Sequence, residues 1–263
     1  MTTIMSGLPQ ELIDHIIDQA HDRESLKACS LVCSQWSARS RKHLFVRVEF
    51  AFIRDLQEWC ARIRPGTSGL SSLVEDLSIA EHCRSPTLFS PSWLRQSTIS
   101  DAASHLQSFS GLRALEIWTW EMSTDQVSTM LHSFGSSLQN VTRLSLCYVI
   151  VHPSTFAMFV GHFPRLNDLF IDPLGSLDDT GDSYRGFHVD IVPTYPRGEF
   201  STSHHPDQLP KGVFEVITLL EPRFHRVSLK GVNCGAWRDY WPVIEACAGS
   251  LEELHILEAR SSE

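Results

Sequence analysis

Two rhythms of apolar residues alternate along most of this chain. One has the form apolar-x-x-apolar-x-apolar and recurs as Phe45-Val48-Phe50, Val74-Leu77-Ile79, Leu112-Leu115-Ile117, Val141-Leu144-Leu146, Leu166-Leu169-Ile171, Phe224-Val227-Leu229 and Leu251-Leu254-Ile256. Its last two positions lie two residues apart, as on one face of a strand. A chain this apolar produces such a pattern repeatedly by chance, so what stands between the strands decides the matter. Each gap holds one stripe with the offsets 0, 3, 4 and 7 of an amphipathic helix. These are Leu56-Trp59-Cys60-Ile63, Ile99-Ala102-Ala103-Leu106, Val127-Met130-Leu131-Phe134, Phe156-Phe159-Val160-Phe163, Val213-Val216-Ile217-Leu220 and Trp237-Tyr240-Trp241-Ile244. Asp101, Asp125 and Asp239 fall on the polar side of three of them. Central strand residues step 48, 77, 115, 144, 169, 227 and 254, so four of six steps span 25–29 residues.

A strand-and-helix unit at this period means stacked units that bury a core only against their neighbours. The pattern resembles a leucine-rich-repeat solenoid, which implies a parallel sheet on the inner face and helices outside. It departs from that family in two ways: Asn or Cys after the strand is mostly missing, and Val, Ile or Phe often replaces Leu. The competing fold is a doubly wound α/β domain, whose strands are covered on both faces and read as unbroken apolar runs. Ser78, Glu116, Ser145, Asp168, Ser228 and Glu253 interrupt these strands instead, so one face is expected to be wet. Two connections break the rhythm and are expected as insertions, at about 80–97 and 172–212. The second is rich in Gly, Pro, Ser, Asp and His, and Phe187, Val189 and Ile191 alternate within it as a small extra strand would.

The first forty-odd residues follow a different plan. Pro9 suits the first position of a helix and Glu11 its positive end. Leu12, Ile13, Ile16, Ile17 and Ala20 then spread over about 140°, more than the roughly 100° stripe that one core needs. Asp22 is a fitting N-cap after the break at His21. Leu26, Cys29, Val32, Cys33 and Trp36 return at near-helical spacing, and Arg39, Arg41 and Lys42 close the segment. So small a module seldom builds an adequate core alone, and its surplus apolar surface needs a second surface.

Leu8-Pro9-x-Glu11-Leu12-x-x-x-Ile16 followed by Leu26-x-x-Cys29-x-x-Val32-Cys33-x-x-Trp36 resembles the F-box. That motif docks substrate receptors onto the Skp-family adaptor of cullin–RING ubiquitin ligases. The resemblance covers about residues 6–48. The chain is thus expected to be α/β, with an all-helical F-box-like module over 1–43. An irregular leucine-rich-repeat-like solenoid with a parallel sheet is expected over 44–263. By the same resemblance, Leu8, Pro9, Leu12, Ile16, Leu26, Val32 and Trp36 would contact the adaptor and, through it, the cullin. The implied role is a substrate receptor that positions a protein target and is not itself an enzyme. A repeat scaffold outside any ligase is the alternative, and a hydrolase or metalloenzyme using the 172–212 insertion is a more distant one.

Bulk properties narrow the partners. A net charge of −9 argues against nucleic-acid and anionic-membrane surfaces, which demand clustered Lys and Arg. Seven cysteines without regular spacing read as reduced thiols, so the protein is expected in the cytoplasm, the nucleus or both. The acidic residues and Pro9 of the opening do not suit a secretory leader. Residues 144–164 lack any Asp, Glu, Lys or Arg, but His152-Pro153-Ser154-Thr155 divides them into strand, turn and helix rather than a membrane span.

Candidate chemistry is mostly set aside at this stage. His188, His204, His205 and Asp207 lack the offsets of metal ligands. Asp178-Asp179-Thr180-Gly181-Asp182 lacks the sixth-position Gly and twelfth-position Glu of a calcium loop. No nucleophile elbow or phosphate-binding Gly-rich loop is present, so no catalytic residue, metal or cofactor is expected. Cys29 and Cys33 are expected among packed helices, and Cys147 facing outward as a free thiol. The better lead is strand 115–120, where alternation puts Glu116, Trp118 and Trp120 on the wet face. Phe170 and Lys230 fall on that face by the same count. Trp118, Trp120, Phe170 and Lys230 are therefore the candidate substrate-binding residues.

Overall fold

The computed structural model describes residues 8–51, 53–62, 69–80, 107, 109–118, 121–122, 124–147, 149–172, 195–202, 211–232 and 236–258. The opening forms three helices, α1 (Gln10–Asp18), α2 (Arg23–Ser30) and α3 (Ser34–Phe45). Pro9 occupies the N-cap position of α1, one residue earlier than expected. Asp22 caps α2 as anticipated, its carboxylate accepting from the Ser25 N–H at 2.7 Å. Leu26 to Trp36 is not a continuous helix, because the chain turns at Leu31–Cys33 before α3 begins. Helix α3 runs two residues past the expected boundary at 43 and leads almost directly into the sheet.

That sheet has eight parallel strands. They are β1 (Arg47–Phe50), β2 (Asp76–Ala80), β3 (Ala114–Trp118), β5 (Arg143–Cys147), β7 (Asp168–Asp172), β8 (Glu199–Thr202), β9 (Arg226–Val232) and β10 (Glu253–Glu258). Spatial order equals chain order throughout, with β4 (Glu121–Met122) and β6 (Ile150–Val151) forming a separate short parallel pair. A doubly wound sheet reverses direction at a switch point, whereas this one only adds strands to the same edge.

The helices between strands are α4 (Ile53–Arg62), α5 (Thr124–Phe134), α6 (Pro153–Val160), α7 (Lys211–Leu219) and α8 (Trp241–Cys247). Their apolar stripes form one continuous core with a single face of the sheet: Leu77, Leu115, Leu144, Leu169, Phe200 and Val227 lie against Leu56, Val127, Phe156, Val213 and Val243. The apolar run at 144–164 is divided as expected into β5, β6 and α6, and no helix among the described residues is long and apolar enough to cross a membrane. The stripe at 99–106 and the alternating residues 187–191 lie outside the described residues.

Strands β2, β3, β5 and β7 are entered in the same way. The N–H groups of Glu75 and Asp76 donate to Val46 O, those of Arg113 and Ala114 to Glu75 O, those of Thr142 and Arg143 to Arg113 O, and those of Asn167 and Asp168 to Thr142 O. These bonds measure 2.7–3.1 Å and carry the ladder one residue ahead of each of these four strands.

The expected insertion at 172–212 needs correction, because strand β8 lies inside it. Leu169 pairs with Phe200 and Phe200 with Val227, so the anomalous step of 58 resolves into 31 and 27. The strand escapes the sequence pattern because Arg197 and Thr202 stand where apolar residues are expected, and Phe200 alone fits.

Candidate docking and recognition surfaces

The helical head has a very small core of its own: Ile13 and Ile17 from α1, Leu26 from α2 and Trp36 from α3, with Ala20, Cys29 and Leu44 packed around them. The surplus seen in α1 is thereby divided. Ile13 and Ile17 turn inward, while Leu12 and Ile16 remain 50% and 46% exposed. The turn after α2 adds Leu31 at 85% and Val32 at 49%, with Leu8 exposed ahead of α1. Beside that turn an open depression of about 450 Å³ is lined by Ser30, Cys33, Ser34, Ser37, Ala38 and Arg41.

Of the seven residues expected to face an adaptor, Leu8, Pro9, Leu12, Ile16 and Val32 are thus on the surface. Leu26 and Trp36 are not. They are 7% and 6% exposed and act as the head's own core, because the turn at Leu31–Cys33 folds α3 back over α2. Leu31, which the sequence reading passed over, is the most exposed large apolar side chain among the described residues of the head, and only the position of that turn could have marked it.

Polar contacts fix the angle between α1 and α3. Asp18 accepts from Arg39 Nε and Nη2, both at 2.7 Å, and its Oδ1 lies 2.7 Å from His43 Nε2. The Arg39 guanidinium, and secondarily the His43 ring, hold the Asp18 carboxyl well below the usual carboxylate range. Phe45 and Phe50 both pack on Trp59 of α4, with ring centroids 5.7 and 5.8 Å apart, which ties the end of the head to the start of the sheet.

The face of the sheet turned away from the helices carries three registered rows. At the strand entries stand Arg47, Asp76, Ala114, Arg143 and Asp168, then Glu199, Arg226 and Glu253. These charges are largely spent on one another: Arg143 reaches Asp76 at 3.0 Å and Arg226 reaches Glu253 at 2.7 Å. Asp168 Oδ1 accepts from the Glu199 N–H at 2.8 Å.

The middle row is Glu49, Ser78, Glu116, Ser145, Phe170, Ser201, Ser228 and His255. Its small side chains lie low, with Ser78, Ser201 and Ser228 buried and Phe170 and Glu116 standing half-buried among them. The third row runs Ala80, Trp118, Cys147 and Asp172. Lys230 opposite Leu257 lies further along it.

Trp118 and Phe170 therefore share this face, one strand to either side of β5. Lys230 is exposed but stands away from them on β9, and Trp120 lies outside the described residues.

Cys147 is a free thiol in the row of Trp118 and Asp172, as expected. It is on the polar side of the sheet but buried between its neighbours. Burial pushes its thiol up to about 11, and the carboxylates of Asp172 and Glu116 push the same way. A thiol so rarely ionised is a poor nucleophile. Cys29 is half-buried and Cys33 is exposed. Among the described residues no group of three or more His, Cys, Asp or Glu side chains is placed to hold a metal ion. His188, His204, His205, Asp207 and the 178–182 run lie outside them. The chain matches no family model and no curated protein.

Proposed function

We propose that the protein is a substrate receptor of a Skp–cullin–F-box ubiquitin ligase. The three-helix head docks onto the Skp-family adaptor, and the strand-and-helix units form an irregular leucine-rich-repeat-like solenoid that holds a protein target. The observation behind this reading is the division of labour within the head. Ile13, Ile17, Leu26 and Trp36 close its core, yet Leu12, Ile16, Leu31 and Val32 stay in water. Fully burying such a side chain contributes on the order of 1.5–3 kcal/mol before ordering costs, so four of them suffice for a stable complex. The ligase partner supplies the chemistry, and this chain supplies position.

The test is co-expression with the adaptor followed by capture on it. Native chain is expected to be retained. Leu12→Asp with Ile16→Asp, two changes at exposed positions, is expected to abolish retention with the far-UV circular dichroism unchanged. Retention of that double variant at the native level would refute the docking assignment.

A further inference from the structure

The last strand-and-helix unit repeats the pattern of the units before it without the cover that they have. In one register row of the sheet Leu169, Phe200, Val227 and Leu254 follow one another, and in the next Ile171, Thr202, Leu229 and Ile256. Every member of both rows is buried except the last, since Leu254 and Ile256 are nearly half exposed. The helices agree. Phe156, Val213 and Tyr240 each open a buried stripe with the offsets 0, 3, 4 and 7, and the residues that follow them are Ala157, Phe214 and Trp241. Ala157 is sealed, and Phe214 packs edge-on against Tyr240 of the next unit with ring centroids 4.9 Å apart. Trp241 keeps a contact within the chain and still shows half of its surface. The far face of the array is thus a stacking face left open.

We infer that a second copy of this chain covers that face, β10 lying antiparallel to β10 about a two-fold axis at His255, so that two arrays join as one sheet. Backbone phase sets this register. The Glu253 N–H is spent on His225 O towards β9, so by alternation along a strand the N–H and C=O groups of Leu254 and Ile256 point to the open edge. An axis at His255 sets Leu254 opposite Ile256 of the second copy, and the reverse, and the two pairs exchange four hydrogen bonds. Both apolar residues then meet apolar residues on the helix side and carry the core across the seam. Like charges are kept apart: the two Glu253 carboxylates, each two residues from the axis, lie about 14 Å apart along the strands, beyond a screening length of about 8 Å. Each is also held by its own Arg226 at 2.7 Å. Head-to-tail stacking has no counterpart surface, because the equivalent residues of β1, Val48 and Phe50, are already buried, Phe50 against Trp59 of α4. Within this chain the face matches only itself, the condition for an isologous interface. The heads adjoin β1 at the opposite edge of the sheet, so on the ligase reading the pair would carry two docking heads.

One strand and one helix from each copy make a small seam, so pairing is expected only at chain concentrations on the order of 10 µM. The test is sedimentation velocity of the full-length chain from about 1 to about 100 µM, where the mass is expected to climb from one chain towards two and no further. Over the same range, exchange at the amides of Leu254 and Ile256 is expected to slow at least about threefold. Ile256→Lys, at an exposed position, is expected to weaken pairing at least about tenfold with far-UV circular dichroism unchanged. Leu219→Lys, at an equally exposed leucine on α7, is expected to change it less than about twofold. Equal effects of the two would reduce pairing to general stickiness and overturn the seam. His255→Cys in a Cys33→Ser background reads the geometry. Residues facing each other across the axis as a non-hydrogen-bonded pair have Cα atoms about 4.5 Å apart, within disulfide reach. Oxidised glutathione is therefore expected to give at least about fivefold more covalent dimer than in the Cys33→Ser parent, and Lys230→Cys, one strand in from the seam, no more than the parent. A chain that stays monomeric throughout, a mass that grows past two, or a dimer that the thiol at 255 does not cross-link would overturn the inference. Adaptor capture of Ile256→Lys at the native level is expected in every case, so failure of the seam and failure of the ligase reading are told apart.

Discussion

Trp36 shows how much depends on which way one side chain points. It is 6% exposed and its indole N–H has no acceptor among the described residues. An unsatisfied buried donor costs about 1–3 kcal/mol, while the ring fills the centre of a four-residue core. Trp36→Phe, which keeps most of the ring and removes the donor, is expected to leave stability unchanged or raise it. Trp36→Ala is expected to cost about 3–5 kcal/mol and to unfold the head. Urea unfolding of the two variants measures both. The sequence marked Trp36 as important without showing why, because spacing cannot tell a residue that meets a partner from one that meets its own module. The same ambiguity covers Leu26. It lifts for Leu12 and Ile16 only once Ile13 and Ile17 are seen to take the inward positions.

Among the elements, the head is held by α1 and α3 through Asp18. A carboxyl whose folded pKa is depressed contributes stability that is fully present above its unfolded value, about 4, and lost as pH falls through the folded value. The head is therefore expected to loosen on acidification below about pH 4. Asp18→Asn should lower its melting midpoint at neutral pH and flatten the acid response, both readable by circular dichroism from pH 3 to 7. Glu253, held down to about 2 by Arg226 and then His255, adds an acid-sensitive pairing of β9 with β10 over a similar range.

Strand β8 turns on a different contact. A Cβ at Gly198 would fall on the Asp168 carboxylate, which holds the Glu199 N–H at 2.8 Å. Gly198→Ala is expected to detach β8 from β7 and lower the melting midpoint by several degrees, and an unchanged midpoint would show that the strand does not rely on that grip. The strands with three apolar positions were legible in the sequence, and β8 with one was not. Its presence was nonetheless written in the doubled step between Leu169 and Val227.

For the whole molecule the decisive feature is that the eight strands of the main sheet lie in chain order, each beside the strand of that sheet that precedes or follows it. This much was legible, since the apolar period implied stacked units with one wet face. The small turn chemistry that separates α2 from α3 was not, because Val32 and Cys33 continue the helical spacing of Leu26 and Cys29 and no Gly or Pro announces the break. Protection is expected to be graded along such an array, greatest at β5 and β7 and least at β10, whose core-side Leu254 and Ile256 are 45% and 43% exposed. Hydrogen exchange followed by mass spectrometry would read this gradient, and uniform protection from β2 to β10 would contradict it.

Strands laid side by side in chain order also have a mechanical meaning. Tension applied between the two ends of the array loads the seams one after another instead of all together, and a unit of about 27 residues that tears free pays out roughly 90 Å of slack. The array is thus built to yield in instalments, so a pull on its far edge can open that edge while the seams nearer the head stay shut.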